Sequence, residues 1–451
     1  MPAEVGDLLP LTPRAPDEVI WHRGGEAVTV GRFLAEAASL ATLLPEGDGP
    51  AVNACADRYL ALLAFAAALI RGHATLLGAG GRGTPAFWRV AAEQHPGGYV
   101  LSDMPLPDSP LPLVKIDPVP PHAAVAAVPH IPAARIAAIA FTSGSTGTPV
   151  AHPKPWGALV AGADAAAERF GLRDGDGPPA NIVATVPPQH MYGFETTMML
   201  PLRAAVACHA GESFFPSDVL SALEEMPARR LLVTTPLHLR ALLAEGRRPP
   251  RLAAVISATA PLSRALAEAV ERDWETPMLE IYGATEAGSM ASRRMLRDES
   301  WTPYRGVRVR PGMAEVPGIG AVPLADVVET VDDGRFRLLG RLADLVKLGG
   351  KRASLAELNR TLAEVEGVVD GVFVAPEDIE SNPAARLTAY VVAPGRSAED
   401  ILLALRGRMD PVFLPRRVAM MSALPRDALG KLPREALGVI AEDAPTKHAP
   451  A

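Results

Sequence analysis

A run of apolar residues, IAAIAF (136–141), leads straight into a loop of glycines and hydroxyl residues, TSGSTGTP (142–149). The run has the length and composition of a buried β-strand. The loop offers many main-chain N–H groups and hydroxyls, which are the groups that surround phosphate oxygens in proteins. It is not a Walker loop, because its glycine spacing differs and no Lys-Ser or Lys-Thr pair follows. By itself it predicts either a phosphate-binding loop or an ordinary loop between a strand and a helix.

Strand-like segments alternate with helical patterns on both sides of this loop. Before it, AVNACA (51–56) and YVLS (99–102) accompany the long helical pattern DRYLALLAFAAALIRG (57–72). After it, the alternation repeats over residues 155–290. This order predicts an α/β fold of parallel sheets covered by helices. The proline-rich stretch at 103–121 is interpreted as a surface linker.

The pattern changes after about residue 300. Short strands and turns follow, with a hairpin signal at Asp333-Gly334. After Arg341, a helix, two strands and a second helix predict a compact α+β unit of about 110 residues. The last residues, APTKHAPA (444–451), have the composition of a tail.

Composition and charge exclude several classes of protein. The chain has 451 residues, of which 48% are hydrophobic, and 39 glycines with 45 prolines are too few for a low-complexity chain. A net charge of −7 offers no basic surface for nucleic acid. The longest apolar run, at 59–70, is shorter than the roughly 20 residues of a membrane span, and the N-terminus lacks a secretory pattern. Two cysteines give no disulfide framework. We therefore expect a soluble, cytoplasmic protein of two to four domains.

A second motif, EIYGATEAG (280–288), places reactive side chains at the end of an apolar strand. The ring of Tyr282 can stack on a base, the hydroxyl of Thr285 can reach a phosphate, and the carboxylate of Glu286 can hold Mg²⁺. Read alone, the same residues are more simply a strand that ends in a polar turn.

Two further motifs lie near the C-terminus. Asp326, in DVVETVDDGRF, can accept hydrogen bonds from both hydroxyls of a ribose. Arg341, Asp344 and Lys347, in the segment that follows, are alternatively a solvated charge patch. Lys431, in GKLPR, can carry a point charge to an anion, although alone it is most simply a surface lysine.

Together and in this order, these motifs resemble those of the adenylate-forming superfamily, which contains acyl- and aryl-CoA synthetases, peptide-synthetase adenylation domains and luciferases. The resemblance spans about residues 20–440. PPQHMYGFE (187–195) resembles the segment at the mouth of the acyl pocket, and SATAPL (257–262) resembles the pocket wall. More loosely, TSGSTGTPVAHPKPW resembles the short stand-alone ligases of aryl-polyene-type pigment clusters.

The resemblance implies a large N-terminal domain of helix-covered, mostly parallel sheets and a small mobile α+β domain. It assigns residues 1–340 to a domain that binds ATP and the acid, with a β-rich subdomain at about 300–340. Residues 341–344 would then be a hinge, residues 345–440 the C-terminal domain, and residues 441–451 a tail.

The implied reaction has two steps. The carboxylate of an acid attacks the α-phosphate of ATP bound to Mg²⁺ and displaces pyrophosphate, which leaves an acyl-adenylate. The thiol of CoA or of a carrier-protein phosphopantetheine then takes the acyl group and AMP leaves. A carrier protein is expected to be a separate chain, and the expected substrate is an aryl or a short or medium acyl acid.

Residue by residue, the resemblance implies a cradle for the β- and γ-phosphates made by Thr142, Ser143, Gly144, Ser145, Thr146 and Gly147. Tyr282 would flank the adenine, Thr285 would contact the α-phosphate, and Glu286 would bind Mg²⁺. Asp326 and Arg341 would hold the ribose.

Lys431 would bridge the carboxylate and the α-phosphate in the first step only, and His190 would be a further catalytic residue, at the mouth of the acyl pocket. The expected pocket residues are His190, Tyr192, Gly193, Ser257, Ala258, Thr259 and Ala260.

The chain departs from the family pattern at two positions. Val150 follows Pro149 where a lysine is usual, so Mg²⁺ or Lys154 would have to meet the phosphate charge. Ala343 stands at a hinge position that is commonly Asp or Lys. These departures leave a second hypothesis open, a non-catalytic nucleotide-binding relative that acts as a sensor or scaffold.

Overall fold

The computed structural model describes residues 7–426, apart from 79–82, 118–126, 144–148, 174, 176, 212–214, 333, 342–343, 349–350, 377–378, 380–381 and 383–384. The described residues form two compact units. The first unit draws on Met1–Ala258, Glu268–Arg308 and Ala314–Val322. The second draws on Thr259–Ala267, Val309–Met313 and Pro323–Ala451.

The helices begin and end at residues suited to those positions. Thr29 and Asp57, for example, accept hydrogen bonds from main-chain N–H groups of the first turns of α1 and α2, and Gly72 ends α2 with a left-handed φ of 95°. In the described chain the α-helices are α1 (Val30–Ala41), α2 (Arg58–Arg71), α3 (Pro85–Gln94), α4 (Trp156–Arg169), α5 (Met191–Phe194), α6 (Leu200–Arg203), α7 (Pro216–Glu225), α8 (Pro236–Ala244), α9 (Arg264–Trp274), α10 (Leu355–Ala363) and α11 (Ala398–Arg406). A π-helical turn, Glu195–Met199, joins α5 to α6, and a 3₁₀ turn covers Pro411–Phe413.

The strands are short, most of them three to seven residues. In chain order they are β1 (Leu8–Pro10), β2 (Val19–Arg23), β3 (Glu26–Thr29), β4 (Ala51–Asn53), β5 (Thr75–Leu77), β6 (Tyr99–Ser102), β7 (Leu113–Lys115), β8 (His130–Pro132), β9 (Ile136–Ser143), β10 (Pro149–Pro155), β11 (Ala180–Ala184), β12 (Val206–His209), β13 (Arg230–Thr234), β14 (Leu252–Ser257), β15 (Met278–Ala284), β16 (Gly288–Arg293), β17 (Thr302–Pro303), β18 (Arg308–Arg310), β19 (Met313–Val316), β20 (Gly320–Pro323), β21 (Asp326–Thr330), β22 (Phe336–Arg341), β23 (Leu345–Leu348), β24 (Lys351–Ser354), β25 (Asp370–Val374), β26 (Thr388–Val392) and β27 (Arg417–Met420).

Six of the described strands form one sheet of the first unit, in the order β10-β9-β5-β4-β6-β7. Its strands run parallel, except that β10 pairs antiparallel with β9 at the edge. Prolines at 149, 153 and 155 suit β10 to an edge, because a proline has no N–H to donate to a neighbour.

Nine described strands form a second sheet, in the order β17-β16-β15-β14-β13-β11-β12-β2-β3. Its central strands are parallel, and β3, β16 and β17 add antiparallel edges. The main core cluster of the first unit includes α2, whose residues 58–69 are all buried. The longest apolar run of the sequence is therefore a core helix, and no described helix is long and apolar enough to cross a membrane.

The second unit has a separate core. Strands β25, β26 and β27 form a mixed sheet, and α10 and α11 supply Leu358, Leu362, Ile401 and Leu405 to the core below it. Strands β21 and β22, and β23 and β24, form two antiparallel pairs. The pair β21–β22 confirms the hairpin expected around Gly334.

The predicted α/β fold class is confirmed, and two local interpretations were wrong. Strand β7 lies inside the stretch 103–121 that we interpreted as a linker, because Leu113–Lys115 pairs with β6. The glycine-rich loop is followed by the edge strand β10 and not by a helix, so it joins two antiparallel strands. Residues 342–343 of the expected hinge and the tail 441–451 lie outside the described residues, and the predicted domain boundaries stay predictions.

Candidate active site

The two strands that carry the glycine-rich loop place its ends side by side. Ser143 pairs with Pro149, and Thr142 pairs with Val150. The hydroxyl of Thr142 shares a hydrogen bond of 3.0 Å with Nε2 of His152. Four expected phosphate-binding residues, Gly144, Ser145, Thr146 and Gly147, lie outside the described residues, as does the side chain of Ser143.

The turn that carries Thr285 and Glu286 joins β15 to β16. Both residues are half-buried, and the N–H of Ala287 closes the turn by donating to the carbonyl of Ala284 at 3.0 Å. Strand β15 thus ends in the polar turn that the sequence predicts, and Thr285 and Glu286 lie in this turn, where β15 ends and β16 begins.

Lys154 connects this turn to the strand that follows the glycine-rich loop. Its side chain is 1% exposed, and its Nζ donates a hydrogen bond of 2.6 Å to the main-chain carbonyl of Glu286. The ammonium that we considered as a replacement for the missing loop lysine is therefore directed at the turn.

The charges at this junction influence one another. Burial lowers the pKa of Lys154 to about 8, and the carboxylates of Glu195 and Glu286 partly oppose that shift. Burial also lowers the pKa of His152, with Glu286 acting in the opposite direction. The carboxylate of Glu286 thus raises the pKa of two side chains of β10, His152 and Lys154. Glu286, the expected metal ligand, is therefore close to the strand that leaves the glycine-rich loop.

The donor set at this junction suits a metal that arrives with phosphates. Within the described ranges, no group of three or more His, Cys, Asp and Glu side chains comes together as a metal centre. Mg²⁺ in nucleotide sites commonly takes one or two protein carboxylates and completes its shell with phosphate oxygens and water. A single carboxylate such as that of Glu286 fits this pattern.

Tyr282 has its ring largely inside the fold. The side chain is 7% exposed, and its ring centroid lies 5.6 Å from that of Trp301. The guanidinium of Arg293 lies 4.4 Å from the Trp301 ring centroid, over its face. The role of Tyr282 beside an adenine stays a prediction.

The expected acid-pocket residues on α5 are held by specific contacts. His190 caps the helix, since its Nδ1 accepts a hydrogen bond of 3.3 Å from the N–H of Tyr192. The hydroxyl of Tyr192 donates to the carbonyl of Ile256 at 2.9 Å, and burial raises the pKa of this phenol. At Gly193 a side chain is excluded, because a Cβ would lie 2.0 Å from the carbonyl oxygen of Pro187.

The contact from Tyr192 brings α5 to the end of β14, where two more pocket residues lie. Ser257 is fully buried, and its hydroxyl has no hydrogen-bond partner among the described residues. Ala258 follows and is also buried. A buried hydroxyl without a partner is uncommon in a folded protein and is a candidate contact for a ligand.

Thr259 and Ala260 belong to the second unit. Thr259 has a φ of 76°, a left-handed conformation that is unusual for a β-branched residue. Such strain is often kept at functional sites.

A small cleft of the first unit lies next to α5 and the 285–287 turn. It has a volume of about 30 Å³ and runs between α4, the π-helical turn and the segments 304–307 and 316–319. We name it the Glu195 cleft; its polar lining is formed by Lys154, Glu195, Ser289, Tyr304 and Arg305. The N–H of Ser289 donates to Glu195 Oε1 at 3.0 Å, and the Ser289 hydroxyl donates to Oε2.

Sequence reasoning missed Glu195, Tyr304 and His152 as candidate site residues. Glu195 has a recognisable signal, since it is the one charged residue in the apolar run MYGFETTMML (191–200). A π-helical turn begins at the same residue, and such turns occur frequently at functional sites. Tyr304 and His152 have no signal of that kind.

The expected ribose residues come together in the second unit. Asp326 and Arg341 are paired across β21 and β22, and Nε of Arg341 lies 3.6 Å from Oδ1 of Asp326. The Arg341 side chain is largely exposed and Asp326 is partly exposed. Lys431 lies outside the described residues.

Comparison with known proteins shows the family. The model of the AMP-binding enzyme family matches residues 88–321, more than half of the chain. A 4-coumarate–CoA ligase of Halorhodospira halophila is 30% identical over 309 residues, which cover 64% of this chain and 73% of the relative. A 4-coumarate–CoA ligase of Rhodobacter capsulatus is 30% identical over 301 residues, which cover 65% and 74%.

A solved structure shares the fold along almost the whole chain. The o-succinylbenzoate–CoA synthetase of Bacillus subtilis, solved with ATP and a magnesium ion, matches with a TM-score of 0.78 at 18% identity, covering 94% of this chain and 97% of that one. The chain therefore belongs to the AMP-binding enzyme family, within the adenylate-forming superfamily. Its sequence relatives place it among the acid–CoA ligases of that superfamily.

Proposed function

We propose that this protein activates a small carboxylic acid with ATP as an acyl-adenylate and transfers the acyl group to a thiol. AMP and pyrophosphate are the other products. The observation that carries the proposal is the hydrogen bond from Lys154 to Glu286, because it joins the strand leaving the glycine-rich loop to the turn with the magnesium carboxylate. A nucleotide–metal site needs both segments at one place.

The residues of the first unit supply the parts of the first step. Glu286 holds the Mg²⁺ that accompanies ATP, and Thr285 donates its hydroxyl to the α-phosphate. The acid lies against α5 and the end of β14, where His190 caps the helix and the hydroxyl of Ser257 has no partner among the described residues. A carboxylate oxygen of the acid attacks the α-phosphorus, the bond from that phosphorus to the bridging oxygen breaks, and pyrophosphate leaves.

The residues of the second unit bind the ribose and stabilise negative charge in the first step. Asp326 and Arg341 bind the ribose. Lys431 supplies a positive charge to the carboxylate and the α-phosphate in the first step. In the second step the thiol sulfur bonds to the acyl carbon, the bond to the AMP oxygen breaks, and the thiol proton passes to solvent.

The acid is an aryl or a short or medium acyl acid, and the acceptor is CoA. The relatives named 4-coumarate–CoA ligases support both statements. A separate carrier protein as the acceptor stays a prediction from the sequence, as does the similarity to the ligases of aryl-polyene-type clusters.

The test is acid-dependent release of pyrophosphate from ATP and Mg²⁺, with hydroxylamine present to trap the adenylate as a hydroxamate. The panel contains benzoic, cinnamic and short to medium fatty acids with their hydroxylated forms. Glu286→Gln should lower kcat/KM about 100-fold, the usual scale for loss of a group that stabilises transition-state charge. Glu299→Gln, a change of an exposed glutamate beyond β16, is the matched control and should leave it unchanged.

Two outcomes separate the proposal from its rival. Hydroxamate that depends on one class of acid supports the ligase and names its substrate class. ATP binding without pyrophosphate release for any acid would favour the non-catalytic nucleotide-binding relative.

A further inference from the structure

The hairpin of β9 and β10 brings two polar side chains together at the start of the glycine-rich loop. Thr142 is the last described side chain of β9 before the loop, and Nε2 of His152 lies 3.0 Å from its hydroxyl oxygen. The two residues are on opposite strands of the hairpin. The hydroxyl of Thr142 is thus held at the point where the chain enters the loop.

The register of the hairpin explains this contact. Thr142 is paired with Val150, and His152 is paired with Ala140. Because side chains alternate between the two faces of a strand, positions 150, 152 and 154 of β10 lie on the same face as Thr142. A diagonal neighbour in such a pair is within reach of a long side chain, so the His152 ring extends across the hairpin to Thr142.

The same face of β10 continues to the turn that carries the expected metal ligand. Lys154, two residues beyond His152, donates to the main-chain carbonyl of Glu286. Burial lowers the pKa of His152, the carboxylate of Glu286 opposes this shift, and the ammonium of Lys154 adds to it. At neutral pH the His152 ring is therefore mainly neutral and has a single N–H.

The position of that single N–H decides what the Thr142 hydroxyl can do. With the proton on Nε2, the ring donates to the Thr142 oxygen, and the threonine O–H is left to donate elsewhere. With the proton on Nδ1, Thr142 donates to the ring and presents only lone pairs to its surroundings. A phosphate oxygen is an acceptor with negative charge, so the first arrangement binds it and the second repels it.

We infer that His152 is a positioning residue for ATP: its Nε2–H donates to the hydroxyl of Thr142, and that hydroxyl donates to an oxygen of the β- or γ-phosphate. The inference rests on the nucleotide binding of the proposed function and adds to it a residue that acts through Thr142. Loss of the His152 donor leaves the Thr142 hydroxyl free to rotate, so that its orientation towards the phosphate is no longer favoured.

The experiment is a double-mutant cycle on the binding of ATP and Mg²⁺ by the full-length protein, measured by isothermal titration calorimetry at neutral pH. Thr142→Val removes the hydroxyl and keeps the side-chain volume, and it should raise Kd about 10-fold or more. His152→Asn should raise Kd about 5-fold, because the shorter side chain places its amide too far from Thr142. In the double variant, Kd should stay within about twofold of that of Thr142→Val, because His152 acts only through this hydroxyl.

The variant His152→Gln separates this role from a purely structural one. Its longer side chain carries an amide N–H to about the position of Nε2, so Kd should return to within about twofold of the wild-type value. His130→Asn is the control elsewhere in the first unit, at an exposed histidine whose Nδ1 is hydrogen-bonded to the carbonyl of Val128, and it should leave Kd unchanged. Circular dichroism and the unfolding temperature establish that each variant is folded.

Steady-state kinetics with an accepted acid give a second readout. His152→Asn should raise KM for ATP about 5-fold and leave KM for the acid within about twofold of the wild-type value. Equal rises in both KM values would indicate a general structural effect and would overturn the inference.

The outcomes distinguish the inference from the proposed function. An unchanged Kd in His152→Asn, independent effects of the two single substitutions, or no recovery in His152→Gln overturns the inference and leaves the proposed function intact. The expected cycle without acid-dependent pyrophosphate release for any acid of the panel supports the inference about ATP binding and overturns the proposed ligation. Absence of ATP binding by the wild-type protein overturns both.

Discussion

The Nζ atom of Lys154 lies 2.6 Å from the carbonyl oxygen of Glu286, 132 residues further along the chain. Lys154 is on the edge strand β10, directly downstream of the glycine-rich loop, and Glu286 is in the turn after β15. The six-stranded and nine-stranded sheets thus each supply one side of this contact. A buried ammonium on a main-chain carbonyl fixes the position of the turn without occupying the Glu286 carboxylate.

Replacing Lys154 by methionine should slow the first step. The substitution keeps most of the side-chain volume but removes the donor, so that the Glu286 carbonyl loses its partner and the turn can shift. We expect kcat/KM for pyrophosphate release to fall about 10- to 100-fold, the scale of a small displacement of reacting groups. Lys115→Met, at a largely exposed lysine of β7, is the matched control. Equal activity of Lys154→Met and wild type would show that the contact does not position the turn.

The same lysine should make stability depend on pH. Its pKa is about 8 in the folded protein and about 10.5 in the unfolded chain, so between these values the unfolded chain binds more protons. The free energy of unfolding that depends on this group therefore rises as the pH increases from about 8 to 10.5. We expect the free energy of unfolding of wild type to gain on the order of 2 kcal/mol relative to Lys154→Met over that window.

Urea unfolding of both proteins at pH 7.5, 9 and 10 measures this difference. Parallel pH curves for wild type and Lys154→Met would contradict a lowered pKa at this position. Lys115→Met again serves as the control, and its curve should follow that of wild type.

Asp326→Ala should weaken the binding of ATP. Loss of hydrogen bonds from two ribose hydroxyls to a carboxylate corresponds to about a 10- to 100-fold rise in KM for ATP, with a smaller change in KM for the acid. Glu329→Ala, an exposed change on the same strand, is the control. An unchanged KM for ATP in Asp326→Ala would remove this residue from the ribose site.

Replacing two glycines beside the Glu195 cleft by alanine should have opposite effects on the free energy of unfolding. Gly288 has a φ of 79°, and a Cβ there would lie 2.6 Å from Oε1 of Glu195, so Gly288→Ala should lower the free energy of unfolding by about 1–3 kcal/mol. Gly162 lies in α4, where an added Cβ would meet no neighbouring atom within 4 Å, so Gly162→Ala should raise it by about 0.5–1 kcal/mol. Thermal unfolding of the two variants measures both effects. If both substitutions changed the free energy of unfolding in the same direction, the result would contradict the local geometry.

The sequence is enough to predict many of the strands and the turns in which the motif strands end, because these features depend on local patterns. Strand β6 and the run that becomes β9 are visible as apolar segments, and YGATE ends its strand in a turn as expected. Strand β7 was missed because proline-rich composition masks an edge strand, whose pairing needs only a few free N–H groups.

The Lys154 contact and the Glu195 cleft depend on tertiary structure and could not be predicted in this way. Lys154 and Glu286 meet only after the two sheets have formed. A lysine in a proline-rich segment has the pattern of an exposed residue, whereas in the fold Lys154 is almost completely buried. Tyr304 is likewise an isolated tyrosine in the sequence, and only the fold places this residue in the lining of the cleft.

The most direct test of the proposed function follows an oxygen atom. An accepted acid is labelled with ¹⁸O in its carboxylate and incubated with the protein, ATP, Mg²⁺ and CoA, and the AMP and pyrophosphate are analysed by mass spectrometry. Attack of the carboxylate on the α-phosphate predicts one ¹⁸O atom in AMP and none in pyrophosphate. Unlabelled AMP, or label in inorganic phosphate formed together with ADP, would contradict an acyl-adenylate and the function proposed for this chain.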